Sequence, residues 1–156
     1  MDKSELQAWE SRCIQEEPPP CQTGCPIHVD ARQFLKHAAK GQWNEALKTL
    51  ARTMPFPGIL GRICDRPCEQ VCKRAEAGGT IAIGRLERTC VETAGTAPRP
   101  LLLSRKPIRV AVVGSGLGSL AAAWDLLRKG YRVTLLEPGE RLGGALRDYP
   151  ESLLPA

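Results

Sequence analysis

Through the first two thirds of this chain, apolar residues recur at three- and four-residue intervals, the spacing that gathers them on one side of a helix. Residues 3–12 read as a short helix, after which Pro18-Pro19-Pro20 forbids helix and holds the chain extended towards Cys21. Asp30 is an N-cap candidate for a helix to about Lys40, with Phe34, Leu35 and Ala38 as its apolar stripe and Gly41 as its stop. Trp43, Ala46, Leu47 and Leu50 repeat the spacing, which predicts a helical hairpin. The Pro- and Gly-punctuated stretch from Met54 to Gly61 reads as a turn. Pro67 then opens a helix that carries Cys68 and Cys72, four residues apart and so on one face. A further helix from about Ile83 to Thr93 sets Glu87 and Cys90 three apart on one side.

Near residue 108 the period changes. Arg109 to Val113 has the run of branched apolar residues of a buried strand, Leu117 to Lys129 is an amphipathic helix closing at Gly130, and Tyr131 to Leu136 is a second strand. Strand, glycine turn, helix and strand make a βαβ unit with parallel pairing. The expected organisation is a helical domain over residues 1–95, a proline-stiffened linker over 96–107, and the start of a Rossmann-like domain over 108–156. The fold class is thus α followed by α/β, with the second part short of a complete sheet.

Composition narrows the function without naming it. The chain has 156 residues, 42% hydrophobic and 25% charged, the balance of an ordinary globular protein, and its apolar runs fall far short of the roughly 20 residues of a membrane span. Only 4% of residues are aromatic and no basic motif is interleaved with them, so nucleic-acid binding has no support. The net charge is +5, and residues 98–156 hold 9 basic against 5 acidic residues; that excess suits a phosphate-bearing cofactor or an acidic redox partner, and equally a solvated surface. Seven cysteines is an odd count, and the stretch from Met1 to Glu17 is polar rather than signal-like, which points to a reducing cytoplasm.

Those cysteines are the first chemical signal. Cys21-x3-Cys25-Pro26 has the form of the tail of the bacterial ferredoxin run, in which the last cysteine serves a different cluster from its predecessors. Cys64-x3-Cys68-x3-Cys72 follows, whereas Cys-x2-Cys is absent, which weakens zinc-ribbon and thioredoxin-type readings. The second signal is Gly114-Ser115-Gly116-Leu117-Gly118-Ser119 directly after the first strand, the place of a dinucleotide fingerprint. Gly114 permits the tight turn, Gly116 lets backbone approach a pyrophosphate at the helix N-terminus, and Ser119 stands at the third glycine position. Glu137, ending the second strand, is placed to accept ribose hydroxyls; the fingerprint does not separate FAD from NAD(P).

Taken in order, Cys21 to Pro26, Leu60 to Cys64, Cys68-Glu69-x2-Cys72, Ile81 to Arg88, Val110 to Leu120 and Arg141-Leu142-Gly143-Gly144 resemble the N-terminal part of the NAD(P)H-dependent glutamate synthase small subunit and of dihydropyrimidine dehydrogenase. The resemblance implies two [4Fe-4S] clusters in a helical domain ahead of an FAD domain, with Gly143 and Gly144 beside FAD. One cluster would take Cys25, Cys64, Cys68 and Glu87. The other would take Cys13, Cys21 and Cys72; the family's fourth cysteine falls at Glu16, and Cys90 is an alternative donor. The implied function is electron transfer between FAD, fed by NAD(P)H through a further domain or partner, and the clusters, on to a larger redox subunit or the remainder of a longer chain. The chain alone is expected to be too short for turnover. The competing expectations are an electron-transfer or docking subunit with a vestigial dinucleotide fold, and a zinc-stabilised adaptor.

Overall fold

The computed structural model describes residues 2–5, 8, 18–95 and 102–154. They divide into two compact units, drawn from residues 1–97 and 98–156.

The first unit is helical: α1 (Pro20–Thr23), α2 (Ala31–Ala38), α3 (Trp43–Leu50), α4 (Pro57–Ile63), α5 (Pro67–Gln70), a 3-10 turn (Lys73–Ala77) and α6 (Ile83–Thr93). Asp30 caps α2 as its sequence position predicts, its Oδ1 accepting from the Gln33 amide at 2.9 Å. Helices α2 and α3 pack as the expected hairpin, and α6 lies against α2, α3, α4 and α5. Phe34, Leu47, Leu50, Met54 and Ile83 are buried between them together with Cys68 and Cys90. Burial of such side chains stabilises by about 1.5–3 kcal/mol each, the term that holds helices this short in place.

Three expectations are corrected here. Pro19 is extended, but Pro20 is the first residue of α1, because a proline at N1 lacks only an amide that would be unpaired anyway. The stretch expected to be a turn from Met54 to Gly61 contains the start of α4, again opened by a proline, after Phe56 in the left-handed conformation. Gly61 is inside that helix because α6 crosses it closely: a Cβ there would stand 3.1 Å from Val91 Cγ1. Finally, α5 stops at Gln70, and Cys72 is extended, so Cys68 and Cys72 do not share a helix face.

The second unit holds β1 (Arg109–Val113), α7 (Leu117–Arg128), β2 (Arg132–Leu136) and a 3-10 turn (Gly144–Asp148). The strands are parallel, in register from Arg109 opposite Arg132 to Val113 opposite Leu136, and α7 packs on both. Alternate positions 110, 112, 133 and 135 are half-buried, while Val113 and Leu136 are exposed. Residues 102–106, read from the sequence as linker, bond to the end of α7: the Leu103 amide donates to Arg128 O at 2.9 Å and the Lys106 amide to Gly130 O at 2.8 Å. Gly130 has a φ of +87°, and a Cβ there would meet Ser104 O at 2.2 Å, so glycine is required twice over. Among the described residues no helix is long and apolar enough to cross a membrane.

Candidate cluster ligands and dinucleotide turn

Packing of α1 on α5 joins the early and late cysteines. Gly24, between Cys21 and Cys25, lies so close to the segment before Cys72 that a Cβ on it would stand 2.7 Å from Val71 Cγ2. Cys21, Cys25, Cys64 and Cys72 are half-buried, whereas Cys68 and Cys90 are buried, and none of the six is in a disulfide. Cys13 and Glu16 lie outside the described residues.

Electrostatics sort these groups. Burial pushes the Cys68 thiol up to about 12, and the charges that add to it are those of Glu87, Cys64, Cys25 and Glu69. Cys64 is also raised, first by burial and then by Glu87, Cys25 and Asp65, although the Arg66 amide donates to its sulfur at 3.4 Å and acts the other way. Cys64 and Cys68 therefore each lie in the fields of both Cys25 and Glu87, residues 62 positions apart in the chain. Glu87 is 4% exposed, its carboxyl raised to about 7 by burial and then by Glu69, and its Oε2 has no hydrogen-bond partner.

A buried carboxylate oxygen left unpaired is costly, and it is the kind of group that a metal relieves. Among the described residues no three His, Cys, Asp or Glu side chains converge tightly enough to hold a single metal ion. The donor chemistry nonetheless fits an iron–sulfur group: soft sulfur donors, which bind metal as thiolates, with one hard oxygen beside them.

Cys90 shares the field of Glu87 but turns its thiol towards α3. It is fully buried, and its thiol donates to Trp43 O at 3.5 Å, across to α3. Burial and then Glu87 raise it to about 11. Two residues that sequence reading passed over set the frame around Glu87. Glu69 Oε1 accepts from the Gly84 amide at 2.9 Å, serving α6 where its own N-cap, Ala82, makes no side-chain bond. Arg66, left-handed at φ +59°, lays its stem over Gly84, where a Cβ would be 2.3 Å from Arg66 Cγ and Cδ. No local motif marks either residue, since each acts across a loop.

In the second unit, Gly114 has a φ of +87° and Gly116 is the N-cap of α7. A Cβ at Gly116 or Gly118 would meet nothing within 4 Å, so the space over the start of α7 is open. Leu117 begins the helix, and Ser119 Oγ donates to Val113 O at 3.4 Å. Glu137 is brought to this turn by the pairing of β2 with β1, and Ser115 Oγ donates to its Oε2. Its Oε1 accepts from the Gly139 amide at 2.9 Å, and these bonds, Ser115 first, hold the carboxyl below its usual range. Gly143 and Gly144 arrive at the same place. The Gly143 amide lies 3.1 Å from Ser115 Oγ, and a Cβ on Gly144 would be 3.2 Å from Gly116 Cα. The first glycine turn, Glu137 and the second glycine pair thus form one hydrogen-bonded group.

Comparison with known proteins follows the same division. Residues 1–98 match the family described as dihydropyrimidine dehydrogenase domain II, 4Fe-4S cluster, and residues 112–152 match the NAD(P)-binding Rossmann-like domain. The chain is 35% identical over 152 residues to the glutamate synthase [NADPH] small chain of Mycobacterium tuberculosis, a match covering 94% of this chain and 30% of that one. It is 37% identical over 142 residues to the Azospirillum brasilense small chain, covering 87% and 30%. To the NADPH-Fe(3+) oxidoreductase subunit beta of Geobacter sulfurreducens it is 31% identical over 139 residues, covering 86% and 21%. The chain therefore spans less than a third of the length of these relatives. Since the first match takes in more than half of the chain, with Cys21 to Cys90 inside it, the chain belongs to the dihydropyrimidine dehydrogenase domain II family of 4Fe-4S proteins.

Proposed function

We propose that this chain is the iron–sulfur and nucleotide-entry portion of an NAD(P)H-dependent flavin oxidoreductase, passing electrons between FAD and two [4Fe-4S] clusters. The observation that carries the reading is Glu87, a buried carboxylate with an unpartnered oxygen, standing in a common field with Cys25, Cys64 and Cys68. These four are the proposed ligands of one cluster. Cys21 in α1 and Cys72 just beyond α5, the helix on which α1 packs, are assigned with Cys13 to the other, with Glu16 as the candidate fourth donor. In the second unit the start of α7 and the Ser115, Glu137 and Gly143 group support a site for the adenosine diphosphate part of FAD. When bound, flavin supplies the exchange between two-electron and one-electron steps.

The residues have separable tasks in this reading. The thiols and Glu87 fix cluster position and hold it away from water. The Arg66 amide supplies a hydrogen bond to the Cys64 sulfur, a contact of the type that tunes cluster potential. Glycines 116 and 118 leave the helix end open to a pyrophosphate, and Glu137 accepts from ribose. NAD(P)H oxidation and the final acceptor belong to a further domain or a partner subunit, in keeping with the relatives, which are named as a small chain and as a subunit beta.

A second reading has its own support: Val113 and Leu136 leave one face of the two-stranded sheet exposed, so the nucleotide fold could be a docking element without flavin. Iron, sulfide, zinc and flavin analysis of the chain prepared without oxygen separates the readings. The proposal expects about eight irons and eight sulfides per chain, for two [4Fe-4S] clusters, with FAD retained or taken up on addition. Iron and sulfide with no FAD uptake would favour the docking element, and colourless protein with stoichiometric zinc would overturn both.

A further inference from the structure

The Ser115 side chain occupies the unspecified position between two fingerprint glycines, where the motif assigns no role. It is nonetheless 1% exposed, one of the most completely buried side chains of the chain. A buried hydroxyl has one proton to give and must place it. At Ser115 the choice is forced. The Gly143 amide, which can only donate, takes a lone pair of Oγ at 3.1 Å, and the hydroxyl proton goes to Glu137 Oε2. The other carboxylate oxygen of Glu137 is held by the Gly139 amide at 2.9 Å.

An ionised carboxylate offers about four acceptor directions. Two are filled from inside the chain, one on each oxygen, which leaves one on each oxygen for a ligand. That pair of acceptors is the complement of two adjacent hydroxyls, and it repels a phosphate ester at either position. Glu137 is half-buried, and the Gly139 amide holds only one of its oxygens, so the second anchor that fixes the plane of the carboxylate is the Ser115 hydroxyl. Ser115 bonds to the second glycine segment as well, its Oγ and its backbone O sharing the Gly143 amide at 3.1 and 3.2 Å, so the hydroxyl is one of two anchors of the loop that packs over Gly116.

We propose that Ser115 is a positioning residue for nucleotide recognition, whose buried hydroxyl, fixed by the Gly143 amide, aims the Glu137 carboxylate at a ribose 2′,3′-diol and so makes the site select adenosine nucleotides with a free 2′-hydroxyl. The inference rests on the dinucleotide reading above and adds to it a determinant of ligand choice.

The test is titration of the full-length chain with ADP and with 2′-deoxy-ADP. The unsubstituted protein binds ADP about tenfold more tightly, the worth of about 1.4 kcal/mol. Ser115→Ala weakens ADP about tenfold more than 2′-deoxy-ADP, which has only the 3′-hydroxyl contact to lose, and so brings the ratio near one. Ser115→Thr, which keeps the hydroxyl, keeps the ratio. Should Ser115→Ala not fold, Glu137→Gln, which leaves the buried hydroxyl in place, reports the same collapse of the ratio. Equal weakening of both nucleotides by Ser115→Ala, a purely structural effect, overturns the proposal. So does a ratio of one in the unsubstituted protein, with the dinucleotide site left standing. Absence of binding by either nucleotide overturns the site itself and this role with it.

Discussion

A buried carboxylate with one oxygen unpartnered is a burden on a protein that carries nothing beside it, and Glu87 can be tested on that ground. Glu87→Leu is expected to raise the stability of metal-free chain by about 1–2 kcal/mol, because it removes an unmet polar atom from an apolar surrounding. The same change should lower the iron of loaded protein by about one cluster. Thermal melts of the metal-free chain and iron analysis of the loaded one read the two effects, and a fall in both would assign Glu87 to packing alone. Cys90 should behave in the opposite manner. Its thiol is spent on the Trp43 carbonyl inside the core. Cys90→Ala is therefore expected to cost about 1–2 kcal/mol of stability as a small cavity and to leave iron unchanged. From the sequence, Glu87 and Cys90 were three apart on one helix side and either was a possible donor. Both are buried, and what separates them is hydrogen bonding, since the Cys90 thiol donates to Trp43 O whereas Glu87 Oε2 has no partner.

At the scale of elements, helix α6 carries both residues and is held from outside itself. Its first turn has no capping side chain of its own, and Glu69 of α5 serves instead through the Gly84 amide. Glu69→Ala is expected to cost about 1 kcal/mol, the usual worth of a cap, by chemical denaturation. On the other flank, Arg62 and Arg88 both reach Glu92 Oε1, at 3.1 and 3.0 Å, and Gly61 lets α4 approach Val91. Gly61→Ala should cost about 1–3 kcal/mol through overpacking, and because it presses on the turn of α6 that holds Glu87, it should also slow cluster assembly, followed by the rise of visible absorbance. Most of these helices were legible from spacing: Asp30 with its apolar stripe marked α2, and the run from Ile83 marked α6. Two of the three corrections fall at prolines, and the third is the early end of α5 at Gln70. Pro20 and Pro57 were read as breakers, yet each opens a helix, because proline is disfavoured inside a helix and tolerated at its first position, and the pattern of neighbours does not distinguish the two.

For the whole molecule, the cysteines come from segments that only tertiary packing unites, so the helical unit and an iron–sulfur group bound to it should gain and lose stability together. Chelation of iron is expected to raise amide hydrogen exchange across residues 20–93 and to leave that of residues 108–137 within about twofold, since the two units are separately compact. Uniform loosening of both would contradict that division. Sequence alone determined the character of each part: helical spacing before residue 95, the change of period at residue 108, the cysteine runs, and a glycine turn between strand and helix. These are local signals, carried by residues within a few positions of one another. Tertiary structure alone decided which groups meet. It took Cys72 off the face of Cys68, brought Cys64 and Cys68 into the fields of both Cys25 and Glu87, committed Cys90 to the core, and gave Ser115 a partner 22 residues away in Glu137. Such pairings depend on burial and on the crossing of elements distant in sequence, and no periodicity within one element records which neighbour its buried side chains will find.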